Sequence, residues 1–136
     1  MPAPGTYGLI RIPLTFRINV ASGTSAEEYV THITYGFRFE VAKAWFVASG
    51  DGAGAGATRL FRIVKGASTV AASATIALAA TQTKGTVSAF TLSSTPSDYH
   101  FFDSDTFTVD VTGAGTQFTT LTGNLHVILL TRPQAR

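Results

Sequence analysis

Between Ile10 and Val20 the chain alternates without a break: Ile10, Ile12, Leu14, Phe16, Ile18 and Val20 are large and apolar, with Arg11, Pro13, Thr15, Arg17 and Asn19 between them. A period of two puts the two sets of side chains on opposite faces of a β-strand, whereas a helix would spread both sets around its circumference. Pro13 has no amide proton to give to a ladder, so this strand belongs at a sheet edge or bends at that point. An edge is also where a strand can meet a neighbouring chain.

The remaining sequence repeats the same theme in shorter pieces. Residues 21–28 read as a loop. The stretch from Tyr29 to Ser49 reads as two strands joined by a turn near Thr34 to Gly36. Simple alternation along the second, Phe37 to Ala48, places Phe37, Phe39, Val41, Trp45 and Val47 on one face and Arg38, Glu40, Ala42 and Ala44 on the other. Lys43 interrupts the first set, and Trp45 is expected to anchor the core. Gly50 to Ala57 alternates residues with little or no side chain and reads as a hairpin tip. A strand from Thr58 to Lys65 follows, ended by Lys65-Gly66.

Ala67 to Ala80 mixes helix-favouring alanines with a strand-like Thr75-Ile76-Ala77-Leu78, and reads as a loop leading into a short strand. Further strands are expected at Gly85 to Leu92, Thr106 to Val111 and Leu121 to Thr131. Turns separate them at Ser93 to Asp98 and at Gly113-Ala114-Gly115. Seven or eight short strands with almost no helix indicate an all-β, antiparallel β-sandwich of jelly-roll type. At 136 residues, 1–136 is one domain, with 1–7 as an extended N-terminal arm and 132–136 as a polar tail.

Charge narrows the function. Only 13% of residues are charged against 45% hydrophobic, so Thr, Ser, Gly and Ala must cover much of the surface, a covering suited to lasting contact with other subunits. The net charge of +2 comes from ten cations scattered singly, which argues against nucleic acid as a partner. Cysteine is absent, excluding disulfides and thiolate metal sites. Met1 to Gly5 lacks a cationic, then apolar, leader, and no apolar run reaches the roughly 18 residues of a membrane span, so a soluble, unexported chain with no membrane partner is expected.

Reactive constellations are not signalled. His32, His100 and His126 lack the paired spacing of a zinc site. The polar cluster from Asp98 to Asp105 lacks the spaced ligands of a calcium loop and reads as a turn whose Asp and Ser side chains bond nearby amides. There is no nucleophile elbow, and Gly50 to Ala57 lacks the lysine and following helix of a phosphate loop. No pair among Glu27, Glu28, Glu40 and the aspartates is marked out for glycoside cleavage. No enzyme activity, metal or cofactor is expected.

The order of features carries a resemblance. Phe39-Glu40-Val41-Ala42-Lys43-Ala44-Trp45-Phe46-Val47 runs into a Gly/Ala-rich loop, then a strand closing on Lys65-Gly66 and an Ala/Ser/Thr-rich passage. Asp103-Ser104-Asp105-Thr106-Phe107-Thr108-Val109-Asp110-Val111 and a last apolar strand complete it. From Tyr29 to Thr131 this resembles the small jelly-roll decoration, or cement, proteins and related minor structural proteins of tailed bacteriophages. The resemblance implies a virion protein, made in the host cytoplasm. It would bind the outer surface of the assembled capsid and stabilise the shell, commonly as a homotrimer seated on the major capsid protein. Pro2, Pro4 and Tyr7 of the arm and Ile10, Ile12 and Phe16 of the first strand are then the expected capsid or subunit contacts. A tail, fibre or carbohydrate-binding module on the same kind of fold is the alternative, with Tyr7, Tyr29, Tyr99 and Phe102 as its platform. A metal-dependent enzyme of cupin type is third.

Overall fold

The structure is a computed structural model that describes residues 10–20, 26–49, 58–77, 84–114 and 121–132. The strands are β1 (Arg11–Val20), β2 (Ala26–Ile33), β3 (Phe39–Ala48), β4 (Thr58–Lys65), β5 (Thr69–Ala77), β6 (Val87–Ala89), β7 (Thr91–Leu92), β8 (His100–Phe101), β9 (Phe107–Ala114) and β10 (Leu121–Thr131). One short helix, α1 (Pro96–Tyr99), precedes β8. Two antiparallel sheets form. Sheet A has the order β1-β10-β3-β6, with β8 also on β3, and sheet B the order β2-β9-β4-β5-β7. β1 and β3 flank β10, and β2 and β4 flank β9. The first half of the chain is thus wound against the last two strands, the jelly-roll-like connectivity of an antiparallel sandwich.

The core lies between the sheets, where the inward sets of both interdigitate: Ile18, Phe39, Phe46, Leu125, Val127 and Leu129 from sheet A meet Phe61, Ile63, Phe107, Val109, Val111 and Ile76 from sheet B. Phe46 and Phe61 meet edge to face across the gap, 4.9 Å between centroids. At one end the core is aromatic. Phe39 stacks on Phe101 at 4.6 Å, and Phe16, Tyr35 and Phe107 close around the pair. Such ring pairs add to the area they bury, and burial pushes the Tyr35 phenol pKa above its ordinary value. In β10, Gly123 faces inward under Phe46. A Cβ there would collide with that ring and with the Val47 carbonyl, so the close approach of β10 to β3 requires glycine.

One irregularity decides which face half of β3 presents. Leu129 of β10 pairs with Val41 but Ile128 pairs with Lys43, leaving Ala42 as an extra residue, a β-bulge that resets the alternation. Phe39 and Val41 point inward, and beyond the bulge so do Ala44, Phe46 and Ala48. Trp45 and Val47, which simple alternation sends into the core, lie on the outer face instead. Trp45 is half-buried there and is not the core anchor. Lys43, which interrupts the pattern in sequence, marks the bulge.

Other elements also depart from the sequence reading. β2 begins at Ala26, within residues expected as loop. The segment expected as a loop before a short strand is the nine-residue β5, because pairing along β4 outweighs the helical preference of its alanines. Gly85 to Leu92 is not one strand. β6 pairs with β3 in sheet A and β7 with β5 in sheet B, and the chain changes sheets at Phe90, whose amide donates to the Ala44 carbonyl. The expected turn at Ser93 to Asp98 includes the start of α1, with Pro96 in its first turn. Gly113 and Ala114 continue β9 opposite Arg59 and Thr58 rather than turning. The expected arm 1–7, the tip Gly50 to Ala57 and most of the tail lie outside the described residues.

Candidate interaction surface and cationic cleft

β1 is the outer strand of sheet A, and its register explains Pro13. The Thr131 amide donates to the Ile10 carbonyl, and the alternation from that pair puts Ile12, Leu14, Phe16, Ile18 and Val20 in hydrogen-bonded pairs with β10. The amides and carbonyls of Arg11, Thr15, Arg17 and Asn19 then point to the outer edge, where proline's missing N–H costs no ladder bond. The Asn19 carbonyl accepts from Tyr29 Oη at 3.1 Å.

Of the contacts expected from sequence, Pro2, Pro4 and Tyr7 lie outside the described residues. Ile10 is 59% exposed at the start of the edge. Ile12 and Phe16 turn inward and pack against the core, Phe16 6.0 Å from Phe107. What β1 offers outward is Arg11, Pro13, Thr15, Arg17 and Asn19.

The more telling surface is one that sequence reading missed: the outer face of sheet A. Register lines up Ala89, Trp45, His126 and Thr15 in one row across four strands, and Val87, Val47, Asn124 and Arg17 in the next. Trp45 stacks on His126 at 5.2 Å, with Lys43 Nζ 5.2 Å from its ring, and His126 Nδ1 lies 3.2 Å from Thr15 Oγ1. Val87 is 60% exposed, and Ile128 and Leu130 extend the apolar strip along β10. The signal for this face was present in sequence as the unbroken run Val127-Ile128-Leu129-Leu130, apolar on both sides of the strand.

At one end of the sandwich, elements of both sheets surround a cleft of about 220 Å³ lined by Arg38, Lys65, Ser97, His100, Phe101, Phe102 and Arg132. The Arg38 guanidinium lies over the exposed Phe102 ring at 4.7 Å. Lys65 Nζ donates to the carbonyls of Ser97, at 2.5 Å, and His100, at 3.2 Å. His100 Nε2 is 3.0 Å from Glu40 Oε2, while its Nδ1 faces Arg132 Nη1; Arg132 Nη1 is also 3.8 Å from Glu40. Arg132 can only donate, so Nδ1 accepts and the proton is assigned to Nε2, bonded to Glu40. Burial first, then repulsion from Arg132, hold the His100 pKa below its ordinary value against the pull of Glu40, in keeping with this neutral form.

The neighbouring acidic residues bond within their own loop. Asp98 accepts from Ser93 Oγ at 2.6 Å and Asp105 from the Phe102 amide at 2.8 Å. His32, His100 and His126 stand apart, and among the described residues no three His, Asp or Glu side chains converge as a metal set. No family model matches the chain, and no curated protein matches it in sequence.

Proposed function

We propose that this chain is a virion structural protein of a tailed phage that binds the outer surface of the assembled capsid and stabilises it. The observation that carries the reading is the outer face of sheet A: Trp45, Val47, Val87, Ile128 and Leu130 place apolar side chains among Lys43, Asn124 and His126 on a face that a sandwich ordinarily finishes with polar residues. The jelly-roll-like fold and the scarcity of charge support it, since apolar contact with a neighbouring subunit is available with few ions to desolvate. A protein that binds only the assembled lattice stabilises that state by mass action. In this reading the partners are the major capsid protein and further copies of the chain, as a trimer.

The exposed Phe102 favours a second reading, a tail or receptor-binding module, since an aromatic ring left half in water can stack on a sugar. Tyr29 and Tyr99, the other described members of that expected platform, pack against the core.

The test is to mix the purified protein with expanded, undecorated phage shells and pellet them, with light scattering on the free protein. Saturable binding at a fixed ratio to capsid subunits is expected, and Val87→Lys, which puts a charge on the apolar face at an exposed site, should abolish it without lowering the melting temperature. A folded protein that stays in the supernatant overturns the capsid reading, and retention on a glycan array then supports the second.

A further inference from the structure

Of the chain's ten cations, Arg38, Lys65 and Arg132 line one small cleft. Among the described residues only Glu40 approaches them with a carboxylate, and it is already engaged by His100 Nε2 and Arg132. Asp98 and Asp105 accept from Ser93 Oγ and the Phe102 amide. Like charges gathered around a partly desolvated space raise its potential, and a bound anion relieves that repulsion.

The three cations are also held in place, so little ordering remains to be done when a ligand arrives. Lys65 is fixed by two backbone carbonyls that leave its charge unneutralised. Arg132 is positioned by the His100 ring, and its own amide donates to the Arg38 carbonyl, which ties the two arginines together. Arg38 lies over the Phe102 ring and has no carboxylate partner among the described residues, so its guanidinium donors are available for a bidentate contact.

We propose that this cleft is a binding site for a small oxyanion, a phosphate or carboxylate group, held by Arg38 and Arg132 with Lys65 behind them and Phe102 as one wall. The space, about 220 Å³, admits such a group together with a small body resting on the exposed ring. The inference does not depend on the capsid reading, since that reading rests on the outer face of sheet A, whereas the cleft is lined by a different set of residues.

The experiment is a titration of the full chain with inorganic phosphate and, separately, with acetate, at ionic strength held constant with sodium chloride. The side-chain NMR signals of the arginines and of His100 are followed. Saturable shifts confined to Arg38, Arg132 and His100 are expected, with Arg11 and Arg17 unmoved. Tighter binding of phosphate than acetate, or the reverse, identifies which oxyanion the cleft is built for.

Arg38→Gln should weaken binding about tenfold, as expected for the loss of a charge-assisted contact, while Arg17→Gln should leave it unchanged. Arg38 is partly exposed, and its variant's fold is checked by thermal melting. Lys65→Met gives a second variant from the other sheet with the same expected loss. Shifts that rise linearly without saturation, that spread over all arginines alike, or that survive unchanged in both variants overturn the site.

Discussion

A row of outward side chains from each sheet shows two different finishes on one sandwich. On sheet B, register sets Ser73, Arg62, Asp110 and Glu28 side by side across four strands, and Arg62 grips Asp110 through two bonds of 2.8 and 2.6 Å. That row is polar from end to end, and the bond to Asp110 raises the Arg62 pKa above its ordinary value. On sheet A the corresponding row is Ala89, Trp45, His126 and Thr15, with Val47 and Val87 beside it. In this row sheet B pairs its outward charges with one another, whereas the row on sheet A carries a stacked ring pair with aliphatic side chains beside it. The difference shows that strand register decides whether a row of outward side chains satisfies itself or stays open to a neighbour.

The largest expected effect tests this contrast within a single strand. Phe46→Ala empties a site between the sheets and should cost about 3–5 kcal/mol, whereas Trp45→Ala strips a half-buried ring from the outer face and should cost no more than about 2 kcal/mol. Urea unfolding of the two variants decides it; a greater loss from Trp45→Ala would place that ring in the core and dissolve the distinction. Next in size, Arg62→Met deprives the Asp110 carboxylate, 13% exposed, of its guanidinium and should cost about 1–3 kcal/mol. Its counterpart on sheet A, Lys43→Met, removes a cation from over Trp45 and should change stability by less than about 0.5 kcal/mol, so equal losses would show that the two faces are not finished differently.

The smallest effect is read by acid at the margin of sheet A. The folded protein holds His100 below its ordinary pKa of 6.5, so on acidification the unfolded chain takes up a proton that the native state resists. Its contribution to stability is therefore present above about pH 6.5 and is lost as the pH falls below that value. His100→Gln should flatten the decline in stability between about pH 7.5 and 5.5, and parallel profiles for variant and parent would remove His100 as its source.

Much of the architecture was legible in the chain because it rests on local rules. The alternation from Ile10 to Val20 specified a strand with one buried face, and Pro13 limited it to a sheet edge or a bend, of which the structure has the edge, since a missing amide proton is tolerated where no partner accepts it. Leu121 to Thr131 was legible to the residue. The misreadings share a different cause. β5 carries alanines whose intrinsic preference is helical, and only the ladder offered by β4 makes them a strand. Gly85 to Leu92 reads as one strand because nothing local says that its two ends are claimed by different sheets at Phe90.

The candidate surfaces were still less legible. Lys43 signalled a break in alternation, but whether it bends, ends or bulges the strand depends on β10 alongside it. The cleft draws Arg38, Lys65, His100 and Arg132 from four separate segments, each an isolated polar residue near a strand end with no motif around it. The sequence by itself determined the strands with clear alternation, the edge or bend that Pro13 requires and the economy of charge, because side-chain period and missing donors are properties of neighbouring residues. Only the tertiary structure decided that Trp45 faces outward, that apolar side chains of three strands come together on sheet A's outer face and that three cations meet. Those follow from register between strands far apart in the chain, where one extra residue at Ala42 reverses every side chain beyond it.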